Sequence, residues 1–165
     1  MNFSAVKNAV GSNKDNTRQF KIAEPGAYMG YIEKCEVKES KNQNLYYSLQ
    51  IALTDAEGKA RGKLWTCSML AGTMAFRTKR LMLAAGLEIP DGEADENVIA
   101  EQLTKREITV VVKHNEDDTK LEPDFSNWEG YYPITEFDSY NEMVNQGIPQ
   151  TQVVGDWITD TNVEF

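Results

Sequence analysis

Rings and cations interleave along the first part of the chain. Tyr28, Tyr31, Lys34 and Lys38 share one segment, Lys41 and Tyr46 flank the next turn, and Lys59, Arg61, Lys63 and Trp65 follow a second turn. This is the chemistry of a single-stranded nucleic-acid site. Cations track the phosphates, and each base stacked on a ring is worth roughly 1–3 kcal/mol. Tyr31, Tyr46 and Trp65 are the stacking candidates chosen from a set that also includes Tyr28, Trp128, Tyr131 and Tyr132. Alternation sends about half of that set into the core. Tyr46 is the sharpest candidate, because it falls on the polar side of an alternating strand. The phosphate candidates form three groups. Lys34, Lys38 and Lys41 run along one strand into its hairpin, and Lys34 and Lys38 have the even spacing of a shared face. Lys59, Arg61 and Lys63 line the turn GKARGK, where glycines let the backbone approach a ligand closely. Arg77 lies with Lys79 and Arg80 in the segment that follows.

Other chemistries find little support. His114 is the single histidine and reads as a hairpin-edge residue, so no zinc-ligand set exists. No nucleophile or phosphate-loop motif is present. Glu116, Asp117 and Asp118 read as a solvated hairpin tip. The expectation is therefore a protein that is not an enzyme, with no cofactor and no metal. Cys35 and Cys67 make no framework and are expected as free core thiols in a reducing cytoplasm. No apolar run approaches the roughly 18 residues of a membrane span, and residues 1–16 lack a secretory pattern.

The charge layout is a second signal. Residues 1–87 carry thirteen Lys and Arg against seven Asp and Glu, whereas residues 88–165 carry four against nineteen. The net charge of −9 thus hides a basic half, which suits a polyanion partner, and an acidic half able to compete with that partner. The final run, VVGDWITDTNVEF, sets Asp156, Asp160 and Glu164 beside Trp157 and Phe165. Such a segment can mimic phosphates and a base, or enter a basic pocket on a partner enzyme.

The elements that would position these groups follow from periodicity. GAYMGYIEKCEVKES reads as a long strand and KNQN as a turn. LYYSLQIALT alternates cleanly, with Leu45, Tyr47, Leu49, Ile51 and Leu53 on one face. DAEGKARG turns into a third strand, KLWTCSML. TMAFRTKRLMLAAG is the main helix, with Thr73 as N-cap and Gly86 as its stop. NVIAEQL adds a short helix. KREITVVVKH is a fourth strand buried on both faces, and a fifth lies around residues 125–132. From Thr135 the chain reads as acidic and irregular, with helix confined to the region near residues 140–144. The fold class expected is all-β: a β-barrel with one main helix, five strands with the helix between the third and fourth, which is the order of the OB-fold. The domains expected are an N-terminal arm over residues 1–24, the barrel over 25–134 and an acidic tail over 135–165.

Together, GAYMGYIEKCEVKES, KNQNLYYSLQIALTDAEGKARGKLW, TMAFRTKRLMLAAGL, REITVVVKH and NWEGYYP resemble a family of tailed-phage single-stranded-DNA-binding proteins with an OB-fold, long catalogued as an uncharacterised phage domain. The resemblance covers residues 25–133, about two-thirds of the chain. The tail is similar to the acidic tips of bacterial and podoviral single-strand-binding proteins, which also end in phenylalanine, although only three acids fall in its last ten residues. The resemblance implies nonspecific binding of single-stranded DNA in phage replication or recombination, in the host cytoplasm. It also implies a tail that recruits replication or recombination enzymes and weakens DNA binding when DNA is absent. The rival reading is an acidic protein-interaction module, or a nucleic-acid mimic that inhibits a host DNA-binding protein.

Overall fold

A computed structural model describes residues 22–147, and their architecture turns on one long strand. β1 (Gly26–Glu39) pairs antiparallel with β2 (Leu45–Thr54) over Met29–Glu39 and with β4 (Glu107–His114) over Gly26–Tyr31. A strand that serves both sides must bend, and two local features allow it. At Gly30, which has partners on both neighbours, a Cβ would fall 2.8 Å from Ile51 Cγ2. Just beyond it, Glu33 is the extra residue of a β-bulge between Ile32 and Lys34. Bulges bend a strand and increase its twist.

β3 (Ala60–Met69) pairs with β2, and β5 (Leu121–Pro123) pairs with the end of β4. The order β3-β2-β1-β4-β5 returns β5 to the side of β3, so five strands nearly close a barrel. Helix α1 (Ala75–Ala84) lies between β3 and β4 in the chain, followed by α2 (Glu96–Leu103). The class is all-β with a few helices, compatible with the OB-fold. No helix among the described residues is long and apolar enough to cross a membrane.

The period-2 reading of β2 holds in the barrel. Tyr47, Leu49, Ile51 and Leu53 are buried, while Leu45 at the strand's start is exposed. They meet Ile32, Leu64, Leu81, Leu103, Ile108 and Val110 in the main core. Gly86 ends α1 as expected, at φ +79°, with Leu87 N–H donating to the Met82 carbonyl and Gly86 N–H to that of Leu83. Thr73 does not cap the helix. Met74 holds the cap position without a side-chain bond, because Ala75 and Arg77 N–H turn back onto the Gly72 and Met74 carbonyls.

Two further expectations change. The fifth strand around residues 125–132 is instead two short strands, β5 and β6 (Tyr131–Pro133), that share the free edge of β4. Between them Asp124 Oδ1 accepts from Ser126 and Asn127 N–H, and Gly130 takes φ +79° beneath the Phe125 ring. That turn chemistry interrupts the ladder. The chain after Thr135 is not irregular either. A 3₁₀ turn (Ile134–Glu136) leads into α3 (Phe137–Asn145). Phe137, Tyr140, Met143 and Val144 of this segment join Ala27, Val111, Trp128 and Tyr132 in a second core outside the barrel. α3 is the cover that β4 required: Ile108 to Val112 are buried without exception, Thr109 included, as the Val and Ile run implied.

Candidate nucleic-acid interface

The outward face of β1–β2–β3 is a grid fixed by the ladder register. Its successive rows are Lys38–Tyr46–Met69, Glu36–Ser48–Cys67, Lys34–Gln50–Trp65 and Tyr31–Ala52–Lys63. Tyr31, Tyr46 and Trp65 therefore share one face, while Tyr28, Trp128, Tyr131 and Tyr132 are buried. Trp65 is 67% exposed, the most open large apolar side chain among the described residues. The rows of Tyr46 and Trp65 are four residues apart, or about 13 Å along the strands at a rise of about 3.3 Å per residue.

Parity alone forbids this grouping. Tyr31 and Lys34 are an odd number of residues apart and would occupy opposite faces of a regular strand. The bulge at Glu33 resets the alternation, so that Tyr31, Glu33 and Lys34 all meet the outward side of β2. Glu33 and Gln50 are the residues that sequence reading missed. That conflict of parity was the signal for Glu33, whereas the alternation of β2 already set Gln50 on the face of Tyr46.

The cations divide by their partners. Lys34, Lys38, Lys41 and Lys59 form no ion pair among the described residues, and all four are exposed. Lys38 has Glu36 as its neighbour on the same face. Lys63 Nζ is 3.2 Å from Glu33 Oε1, which also accepts from Gln50 Nε2 at 3.0 Å. The Gln50 amide and the Lys63 ammonium hold the Glu33 carboxyl below its ordinary value. Arg61 Nε lies 2.6 Å from Asp55 Oδ2. Asp55 Oδ1 also accepts from Glu57 and Lys59 N–H at 2.9 Å each, which shapes the β2–β3 turn with Gly58 at φ +80°. The Lys59 amide and Arg61 together keep the Asp55 carboxyl low.

Lys63 and Trp65 also line an open groove of about 930 Å³, together with Asp55 of the β2–β3 turn, Arg61 of β3, Tyr28 and Leu121. Tyr28 is held there by its hydroxyl, which donates to the Glu24 carbonyl at 2.6 Å.

Arg77 is not on this face. Its guanidinium lies 4.1 Å from the centre of the Phe125 ring, and α1 is tied to β3 through the Thr78 hydroxyl, which meets Ser68 Oγ at 2.5 Å. Its neighbour Arg80 pairs with Glu129 and lies over Tyr132. The helix's arginines are thus engaged in packing. Cys35 is a buried free thiol whose pKa burial pushes up to about 12, but Cys67 is exposed on the grid rather than in the core. Period 2 is the reason: Cys67 alternates with Leu64 and Ser68, which point inward.

His114 is half-buried, with Nε2 2.8 Å from the Ala23 carbonyl and Nδ1 3.5 Å from Asp118. Among the described residues no group of His, Cys, Asp and Glu could hold a metal ion. Asp156, Trp157, Asp160, Glu164 and Phe165 lie outside the described residues. No protein-family model matches the chain, and no curated protein matches it.

Proposed function

We propose that this chain binds single-stranded DNA without sequence preference, through the outward face of β1–β2–β3, and that it serves phage replication or recombination rather than catalysing a reaction. The observation that carries this reading is the coincidence of Tyr31, Tyr46 and Trp65 with Lys34, Lys38 and Lys63 on one face of a barrel compatible with the OB-fold. Bases stack on the rings while the lysines neutralise phosphates, a combination that tolerates any sequence because every base has a π-face. Lys41 and Lys59, in the turns at the two ends of the grid, extend the positive track.

The test is a titration of intrinsic tryptophan fluorescence with oligo-dT and with duplex of equal length. Saturable quenching by the single strand, weak with duplex, is the expected result, and Trp65→Phe removes most of it. Alkylation supplies a second readout: Cys67 reacts quickly, Cys35 slowly, and oligo-dT protects Cys67. Absence of both quenching and protection, with no shift in a mobility assay, sinks the reading and favours the acidic protein-interaction module.

A further inference from the structure

Glu33 is, with Glu36, one of two carboxylates on the outward face of β1, and of the two it is the one bonded to a candidate cation, Lys63. In a regular strand the residue after Glu33 would point inward. The bulge instead turns both Glu33 and Lys34 outward, opposite Gln50, and returns Cys35 to the core. Asp55, the other acid paired with a candidate cation, has a structural task, since it accepts two backbone N–H groups of its turn. Glu33 has none of that kind. Among the described residues its carboxylate bonds the side chains of Gln50 and Lys63.

We propose that Glu33 is a built-in competitor for the phosphate backbone: it holds Lys63 in the free protein and yields it to a phosphate when a single strand binds. The proposal rests on the single-stranded-DNA reading above. Lys63 stands in the row of Tyr31 and next to that of Trp65, so a base stacked on either ring brings its phosphate within reach of this ammonium. The Lys63–Glu33 pair is open to water, with side-chain exposures of 43% and 30%. Exposed pairs of this kind exchange at little cost. The effect is to keep Lys63 positioned while lowering its net contribution, so that bound strands remain displaceable.

Glu33→Gln removes the charge and keeps an acceptor for the Gln50 amide. The experiment measures oligo-dT affinity by fluorescence anisotropy across a salt series for wild type, E33Q, K63Q and the double variant. E33Q is expected to bind about 2–5-fold tighter at low salt, with the gain shrinking as salt screens the competing carboxylate. K63Q should weaken binding more in the E33Q background than in the wild-type chain. If wild type binds and E33Q is unchanged or weaker, the competitor role is overturned while the DNA-binding reading stands. A gain in E33Q that K63Q does not reduce overturns the exchange at Lys63. Failure of the wild-type chain to bind oligo-dT overturns the DNA-binding reading and this inference with it.

Discussion

At the scale of single residues, Trp65 and Asp55 show how exposure separates roles. Trp65 projects 67% of its surface from a strand whose inward positions are filled by Leu64 and Ser68. Truncation should therefore leave the fold intact while costing binding. Trp65→Ala is expected to lose about 1–3 kcal/mol of single-strand affinity, with thermal denaturation nearly unchanged. A loss of stability instead would mark the ring as a packing residue. Asp55 has the opposite profile. Its carboxyl lies below the usual 3.8, held by the Lys59 amide first and by Arg61. A depressed folded-state pKa contributes stability that is present above the unfolded value and disappears as pH falls through the folded one. Wild type should accordingly lose more stability than Asp55→Asn between pH 5 and pH 2, to be measured from urea midpoints. Equal acid limbs for the two proteins would contradict the turn's dependence on that carboxylate.

At the scale of elements, the informative pair is β4 and α3. A strand with five consecutive buried residues needs two apolar surfaces, and the barrel interior supplies only one. α3 supplies the other through Phe137, which is 5% exposed and packed with Val111, Trp128 and Tyr132. Tyr140 stacks on Tyr132 with ring centres 3.7 Å apart, and Trp128 meets Tyr140 edge-on. Phe137→Ala is expected to cost about 3–5 kcal/mol in chemical denaturation. A cost below 1 kcal/mol would mean that α3 is an appendage and that β4 is covered some other way. The loop between β5 and β6 belongs to the same assembly, since Trp128 anchors it beneath α3.

For the whole molecule, the acidic excess of the sequence lies on the elements that follow the first three strands. The first three strands and their turns balance Lys34, Lys38, Lys41, Lys59, Arg61 and Lys63 against Glu33, Glu36, Glu39, Asp55 and Glu57, whereas Glu88, Asp91, Glu93, Asp95, Glu101 and Asp138 are exposed on later loops and helices. A protein of net charge −9 can thus present a face suited to a polyanion. With about 3–5 phosphates neutralised, the log–log salt slope should fall between about −2 and −3.5. Deletion of residues 155–165 should tighten binding by removing a competing anion, measured in the same titration. Unchanged or weaker affinity in the truncated protein would sink tail competition.

Much of this was legible along the chain, for reasons of range. The alternation of β2, the Gly86 stop of α1 and the order of strands and main helix are local properties. Backbone geometry imposes their periods on neighbouring side chains, and the sequence carries those periods openly. The doubly buried character of β4 was legible too, but not what buries it, because α3 lies more than twenty residues downstream and its apolar stripe is short. The site divides in the same way. Residue types announced stacking and phosphate chemistry, and Tyr46 had a readable face. That Tyr31 joins Lys34 depends on a bulge with no motif of its own. That Arg77 faces Phe125, and that Lys63 is held by Glu33, depends on contacts across strands and loops. Such contacts exist only once the barrel has bent β1 and brought remote segments together, so tertiary structure alone decides which charges and rings remain open to a ligand.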